Sequence, residues 1–131
     1  MNLVDSSGWL EYFAKSANAS YFRPAIHQTE TLLVPTICLY EVYRRIATQR
    51  DEEDALAAVA WMSVGKVVEL TQPIALLAAD LSIEYHLSMA DSIILATARS
   101  FNATLWTQDA HFIGLEKVNF IQKLSAKGKE A

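Results

Sequence analysis

The sequence predicts an α/β fold: a central parallel β-sheet flanked by α-helices. Short apolar segments of strand length alternate with longer segments whose apolar residues recur at helical spacing. Strands that alternate with helices in this way pair in parallel, because each helix carries the chain back across the sheet. No internal repeat, low-complexity stretch or linker breaks the alternation. The 131 residues therefore read as a single domain, 1–131, large enough to bury its own core.

The elements follow in order. Leu3-Val4 is the apolar end of a first strand, and Trp9, Leu10 and Phe13, after Ser6-Ser7-Gly8, share one helix face. A second short helix runs from Ala19 to Gln28. Thr31 to Val34 is a strand closed by Pro35, a residue at ease at a strand end or a helix start. Thr36 to Gln49 reads as a helix, and Asp51 to Val64 as another with acids in its first turn, where the helix dipole favours them. Val67 to Leu70 is the third strand. Two helices, Pro73 to His86 and Ala90 to Phe101, precede a fourth strand, Thr104 to Thr107. A helical turn near Phe112 leads to a fifth strand, Val118 to Ile121, and the Gly/Lys-rich residues 126–131 read as a frayed tail.

Composition excludes several classes of protein. A hydrophobic content of 52% with 20% charged residues is incompatible with intrinsic disorder. The longest apolar run, Ala55 to Val64, stops at Gly65-Lys66, well short of the ~18 residues of a membrane span. Met1-Asn2-Leu3-Val4-Asp5 has neither the basic nor the apolar region of a signal peptide, and the single cysteine, Cys38, cannot form an internal disulfide. Both features suit the reducing cytoplasm. Cys38 lies in an apolar helical pattern and is expected to be a buried thiol rather than a nucleophile. The net charge of −4 argues against a broad basic surface for nucleic acid.

Four acids stand at chemically suggestive places. Asp5 follows the first strand, Asp109 follows the fourth, Asp91 opens a helix, and Glu41 lies in the second turn of the helix after the second strand. Residues just beyond the carboxyl ends of parallel strands line the ligand crevice of an open α/β sheet, so these acids could converge. Converging carboxylates repel one another and either share protons or bind a cation. Oxygen ligands select hard cations such as Mg²⁺, which can activate water and neutralise charge on a phosphodiester. Without these four charges the rest of the chain is neutral, which leaves room for a local, metal-mediated phosphate site. Each acid also has a purely structural reading. Asp5 and Asp109 can cap the helical turns after them, Ser88-Met89-Ala90-Asp91 fits a capping box, and Glu41 can pair with Arg45.

Taken together, these segments resemble the PIN-domain nucleases, and among them the VapC-type toxins of bacterial toxin–antitoxin pairs. The resemblance covers nearly the whole chain. It rests on Leu3-Val4-Asp5-Ser6-Ser7, on Leu39-Tyr40-Glu41-Val42, on the stretch from Leu87 through Ala90-Asp91-Ser92 to Ala98, and on Leu105-Trp106-Thr107-Gln108-Asp109-Ala110-His111-Phe112. Their order, spacing and small total length carry the match. Ser92 is a departure, since Ala often follows the third acid; the acid itself is intact. The resemblance implies a PIN fold with Asp5, Glu41, Asp91 and Asp109 holding Mg²⁺ or Mn²⁺. It implies endonucleolytic cleavage of RNA by metal-activated water, a homodimer, and a cognate antitoxin that wraps the catalytic face. Ser6 and Thr107 match hydroxyl positions that often border such a site, and both have an equal reading as caps.

Other residues carry weaker signals. His27, His86 and His111 are widely separated, show no zinc spacing, and are expected at the surface or at helix ends. Arg44, Arg45 and Arg50 can complement the helix dipole or grip RNA phosphates, and Arg99 has the same ambiguity. Trp9, Phe13, Tyr21 and Phe22 are expected mostly in the core, with part of the set available as a groove for a partner helix. Two competing functions remain. One is a catalytically silent α/β interaction module whose acids are helix caps. The other is a small-molecule phosphatase, disfavoured because Asp5-Ser6-Ser7 lacks the D-x-D pair of one such hydrolase class.

Overall fold

Strand β1 (Asn2–Val4) is the middle strand of a five-stranded parallel sheet in the computed structural model, which describes residues 1–124. On one side it pairs with β2 (Leu32–Pro35), which in turn pairs with the edge strand β3 (Lys66–Val68). On the other side it pairs with β4 (Thr104–Thr107), which carries the second edge strand, β5 (Val118–Phe120). The order is β3-β2-β1-β4-β5. Leu3, Val4, Leu32, Leu33, Val34 and Leu105 are all buried, as strands covered by helices on both faces require. The expected tail at 126–131 lies outside the described residues.

Among the described residues six helices flank the sheet: α1 (Ser6–Phe13), α2 (Ala19–His27), α3 (Thr36–Gln49), α4 (Glu52–Met62), α5 (Gln72–Tyr85) and α6 (Met89–Ser100). Side chains cap four of them, Asp5 and Ser88 as expected. Asp5, Asp51, Thr71 and Ser88 each accept from a backbone N–H in the first turn of α1, α4, α5 and α6. Helix α6 is buried continuously from Ser92 to Ala98, which explains its nearly unbroken run of small and apolar residues. No helix among the described residues is long and apolar enough to cross a membrane.

The elements match the expected ones in number and order, with local differences at their ends. The third strand stops at Val68 and not at Leu70. It is an edge strand whose only partner, β2, ends at Pro35 opposite Val68, so Glu69 and Leu70 have nothing to pair with. Thr31 belongs to a 3-10 turn, Thr29–Thr31, and not to β2. Helix α5 ends one residue early because His86 takes a left-handed conformation, φ 58°. Trp9 and Phe22 are fully buried as expected, whereas Phe13 and Tyr21 are only partly covered.

Gly8 fixes how closely α1 sits on the sheet. A Cβ at this position would lie 2.6 Å from Val4 Cγ1 and 2.8 Å from the Phe22 ring. The same residue's N–H donates to Asp5, so the close approach also seats the first acid. Gly8→Ala is expected to cost about 1–3 kcal/mol through overpacking, measured as a lower urea midpoint. A neutral or stabilising result would show that α1 can shift freely on the sheet.

Candidate active site

Asp5 leaves β1 at its carboxyl end and serves as N-cap of α1, with its side chain only 3% exposed. Its Oδ1 accepts from the Gly8 N–H at 2.9 Å and from the Ser7 hydroxyl at 2.7 Å, while Oδ2 accepts from the Thr107 hydroxyl at 2.6 Å. Burial pushes the Asp5 carboxyl up to about 6, overriding these hydrogen bonds, and the nearby Asp109 charge adds to the rise. Thr107 ties two strand ends together, since its Oγ1 also accepts from the Asp109 N–H at 2.8 Å.

Glu41 reaches the same region from α3. Its Oε1 accepts from the Ser6 hydroxyl at 2.6 Å. The ion pair with Arg45 that the spacing allowed does not form; the salt bridges found among the described residues do not include Glu41. Ser6 and Thr107, the hydroxyls singled out in the sequence, thus each hold one of the acids.

Asp91 is the third residue of α6, and its N–H donates to the Ser88 hydroxyl at 3.3 Å. Partial burial and the Asp109 charge raise its carboxyl above the ordinary value, opposed by His111. Asp109 caps the 3-10 turn Ala110–Phe112, accepting from the His111 N–H at 2.9 Å, and the fully buried Phe112 anchors that turn in the core. His111 Nδ1 lies 3.2 Å from Asp91 Oδ2 and 3.1 Å from Asp109 Oδ1.

His111 is exposed, as expected, and its ring also sits between two of the acids. No zinc-type spacing announces it; the signal was its place two residues after Asp109, across a tight turn. Behind Asp109, the buried Glu11 accepts from the Gln108 amide at 3.0 Å and from the Asn18 N–H at 2.8 Å. Gln108 also accepts from the Asn18 amide at 3.1 Å. This polar network braces the turn, and nothing in the spacing of Glu11, Asn18 and Gln108 marked it beforehand.

All four acids line one cavity of about 860 Å³ at the carboxyl edge of the sheet. Asp5 and Asp109 cap the turns after them with their side chains and also face this common space. The donor set fits a hard divalent cation. It is dominated by carboxylate oxygen, and Asp91, Asp109 and His111 each offer a ligand atom within 4.8 Å of the others. The imidazole nitrogen between Asp91 and Asp109 marks a point where the two carboxylates call for a positive partner. The thiol of Cys38 is buried nearby and held well above its ordinary range by desolvation, which makes it inert.

A group of carboxylates in a cavity at the carboxyl edge of a parallel sheet defines an α/β protein with a candidate divalent-cation site. The chain belongs to the PIN domain family, which matches residues 3–118. Solved structures agree on the fold. A toxin–antitoxin complex from Klebsiella pneumoniae superposes with TM-score 0.76 at 24% identity, covering 91% of this chain and 96% of that one. VapC20 from Mycobacterium tuberculosis, described as a sarcin-ricin loop cleaving toxin, gives 0.74 at 19% identity, covering 91% and 99%. VapBC2 from Rickettsia felis, bound to a promoter DNA fragment, gives 0.72 at 15% identity, covering 92% and 97%. No curated protein sequence matches the chain.

Proposed function

We propose that this chain is a single-domain, metal-dependent endoribonuclease that hydrolyses RNA phosphodiester bonds at Asp5, Glu41, Asp91 and Asp109, and that it acts as the toxin of a toxin–antitoxin pair. The observation that supports the reading is that all four acids line one cavity in a PIN domain, where Asp91 and Asp109 with His111 offer ligand atoms close enough to share a cation and Asp5 and Glu41 lie outside that group. Caps need no common cavity, so the silent-module alternative leaves that shared lining unexplained.

Mg²⁺ or Mn²⁺ held by the carboxylates would supply a water of lowered pKa and neutralise charge on the phosphodiester. The chain's own part is positioning. Three donors fix the Asp5 carboxylate, Ser6 fixes Glu41, and the short turn anchored by Phe112 fixes Asp109. Such preorganisation leaves little rearrangement for the moment of reaction. His111 Nδ1 lies within reach of both Asp91 and Asp109 and so helps to set the position of these two carboxylates.

A cognate antitoxin, a homodimeric toxin and a cytoplasmic setting belong to the same reading. The toxin–antitoxin complexes among the structural neighbours support the antitoxin. Exposed apolar side chains such as Leu76, Ile83 and Met89 are available for contacts between chains. The test is cleavage of single-stranded and looped RNA by purified, antitoxin-free protein. Cleavage should require Mg²⁺ or Mn²⁺ and stop with chelator; activity that survives chelation would overturn the mechanism.

A further inference from the structure

Helix α3 carries two parallel rows of residues on the side that faces the acidic cavity. Tyr40 and Arg44 are four residues apart and lie one above the other, as do Glu41 and Arg45 beside them. All four line the cavity, and Tyr40 and Arg44 also border a shallower apolar cleft against α4. Tyr40 is 61% exposed, so much of its side chain is open to solvent. Arg44 and Arg45 are exposed, and the salt bridges found among the described residues do not include them. Arg50, by contrast, is engaged with Asp54 at 2.8 Å.

The dipole reading of these arginines does not hold. The last turn of α3 contains no basic residue, and the dipole effect falls off within that turn. Two cations that line the cavity and take part in no salt bridge among the described residues, on a chain of net charge −4, are instead placed to meet negative charge brought by a ligand. The four-residue step along the helix spans about 6 Å, one or two nucleotides at the ~3.4 Å rise of a stacked strand. An exposed tyrosine beside two guanidinium groups is the pairing that single-stranded nucleic acid uses, a base on the ring and phosphates on the cations.

We propose that Tyr40, Arg44 and Arg45 form a subsite for single-stranded RNA next to the cleavage point, with a base stacked on Tyr40 and flanking phosphates held by Arg44 and Arg45. The subsite deepens the ribonuclease reading and rests on it for the identity of the polymer. It also favours unpaired or looped RNA over duplex, because a base within a helix cannot present its face to Tyr40.

Binding is measured on the full chain carrying Asp109→Asn, so that the RNA stays intact. The probe is a fluorescent single-stranded RNA of about 12 nucleotides, within the usual span of such sites. Arg44→Ala and Arg45→Ala should each flatten the dependence of log affinity on log salt by about 0.7, the value for one phosphate contact on a single strand. Tyr40→Ala should weaken binding about tenfold, with Tyr40→Phe close to the parent and a duplex of the same sequence insensitive to either change. Arg23→Ala, an exposed arginine outside the cavity, should change nothing and serves as the control for net charge. No measurable binding of the probe would overturn the proposal. So would unchanged salt slopes in both arginine variants, or equal losses on duplex and single strand. If the arginine variants leave RNA binding intact but lose binding to a polyglutamate peptide, the surface belongs to a protein partner and the proposal fails. A wild-type chain that cuts no RNA yet shows the expected Tyr40 and arginine dependence sinks the catalytic reading and leaves this subsite standing.

Discussion

Asp109→Asn is expected to lower RNA cleavage at least about 100-fold at saturating Mg²⁺, with a melting temperature within a few degrees of wild type. The asparagine oxygen can keep the role of Oδ1, which accepts from the His111 N–H and closes the 3-10 turn. What disappears is one negative charge in the cavity that Asp5, Glu41 and Asp91 also line. Asp5→Asn is a poorer probe of chemistry. Both Asp5 oxygens already accept hydrogen bonds, and an amide nitrogen facing Thr107 would disturb the link from Thr107 to the Asp109 N–H. Single-turnover cleavage of a labelled RNA together with a thermal melt separates activity from fold. Near-normal cleavage by a stably folded Asp109→Asn protein would remove Asp109 from the site.

Without divalent metal, the protein is expected to lose stability between about pH 4 and pH 6 through Asp5. Burial holds the folded carboxyl at about 6, above its ordinary value. The unfolded chain therefore gives up this proton first. As pH rises past the unfolded value the folded state is progressively disfavoured, and the loss is complete once pH exceeds the folded value. For one group displaced this far the loss is on the order of 2–3 kcal/mol. Asp91, also raised, adds in the same direction. Other acids titrate across this range as well, so the informative quantity is the difference between wild type and Asp5→Asn. In urea melts with chelator, wild type should fall relative to the variant from pH 4 to pH 7. Mg²⁺ at ten times its Kd should return ~1.4 kcal/mol to the wild type at neutral pH. Parallel pH profiles would mean that Asp5 is not a buried, destabilising charge.

The sequence announced the fold well because its signals are local. Alternation of short apolar segments with capped amphipathic helices sets element order, and Asp5, Asp51, Thr71 and Ser88 cap helices where their positions in the chain place them. Strand ends were less legible, since the limit of β3 depends on where its partner β2 runs into Pro35. The four acids were visible by their places after strands and at helix starts, and one cavity receives them all. Pairwise contacts were not visible. Spacing along α3 offered Arg45 to Glu41, but tertiary structure brings the Ser6 hydroxyl there from 35 residues away. The contact of His111 with the acids was not legible for a similar reason. Its contact with Asp91 crosses 20 residues, and no helical or strand period encodes that meeting.

Strand β1 sits between β2 and β4, and its hydrogen bonds to β4 join residues 2–4 to residues 104–106. Chains emerge from the ribosome N-terminus first, and contacts between distant segments form only when both are present. A nascent chain that has not yet exposed Thr107 lacks the hydroxyl that holds Asp5 Oδ2, and it lacks Asp109 altogether. The helices α1 to α5 can all emerge while the centre of the sheet is still open on one side. Complete assembly of the cavity thus waits until β4 and the turn after it have been made, and fragments that stop before β4 contain neither Thr107 nor Asp109. If the finished protein cuts RNA, the ribosome that makes it works beside an unassembled active site until that point.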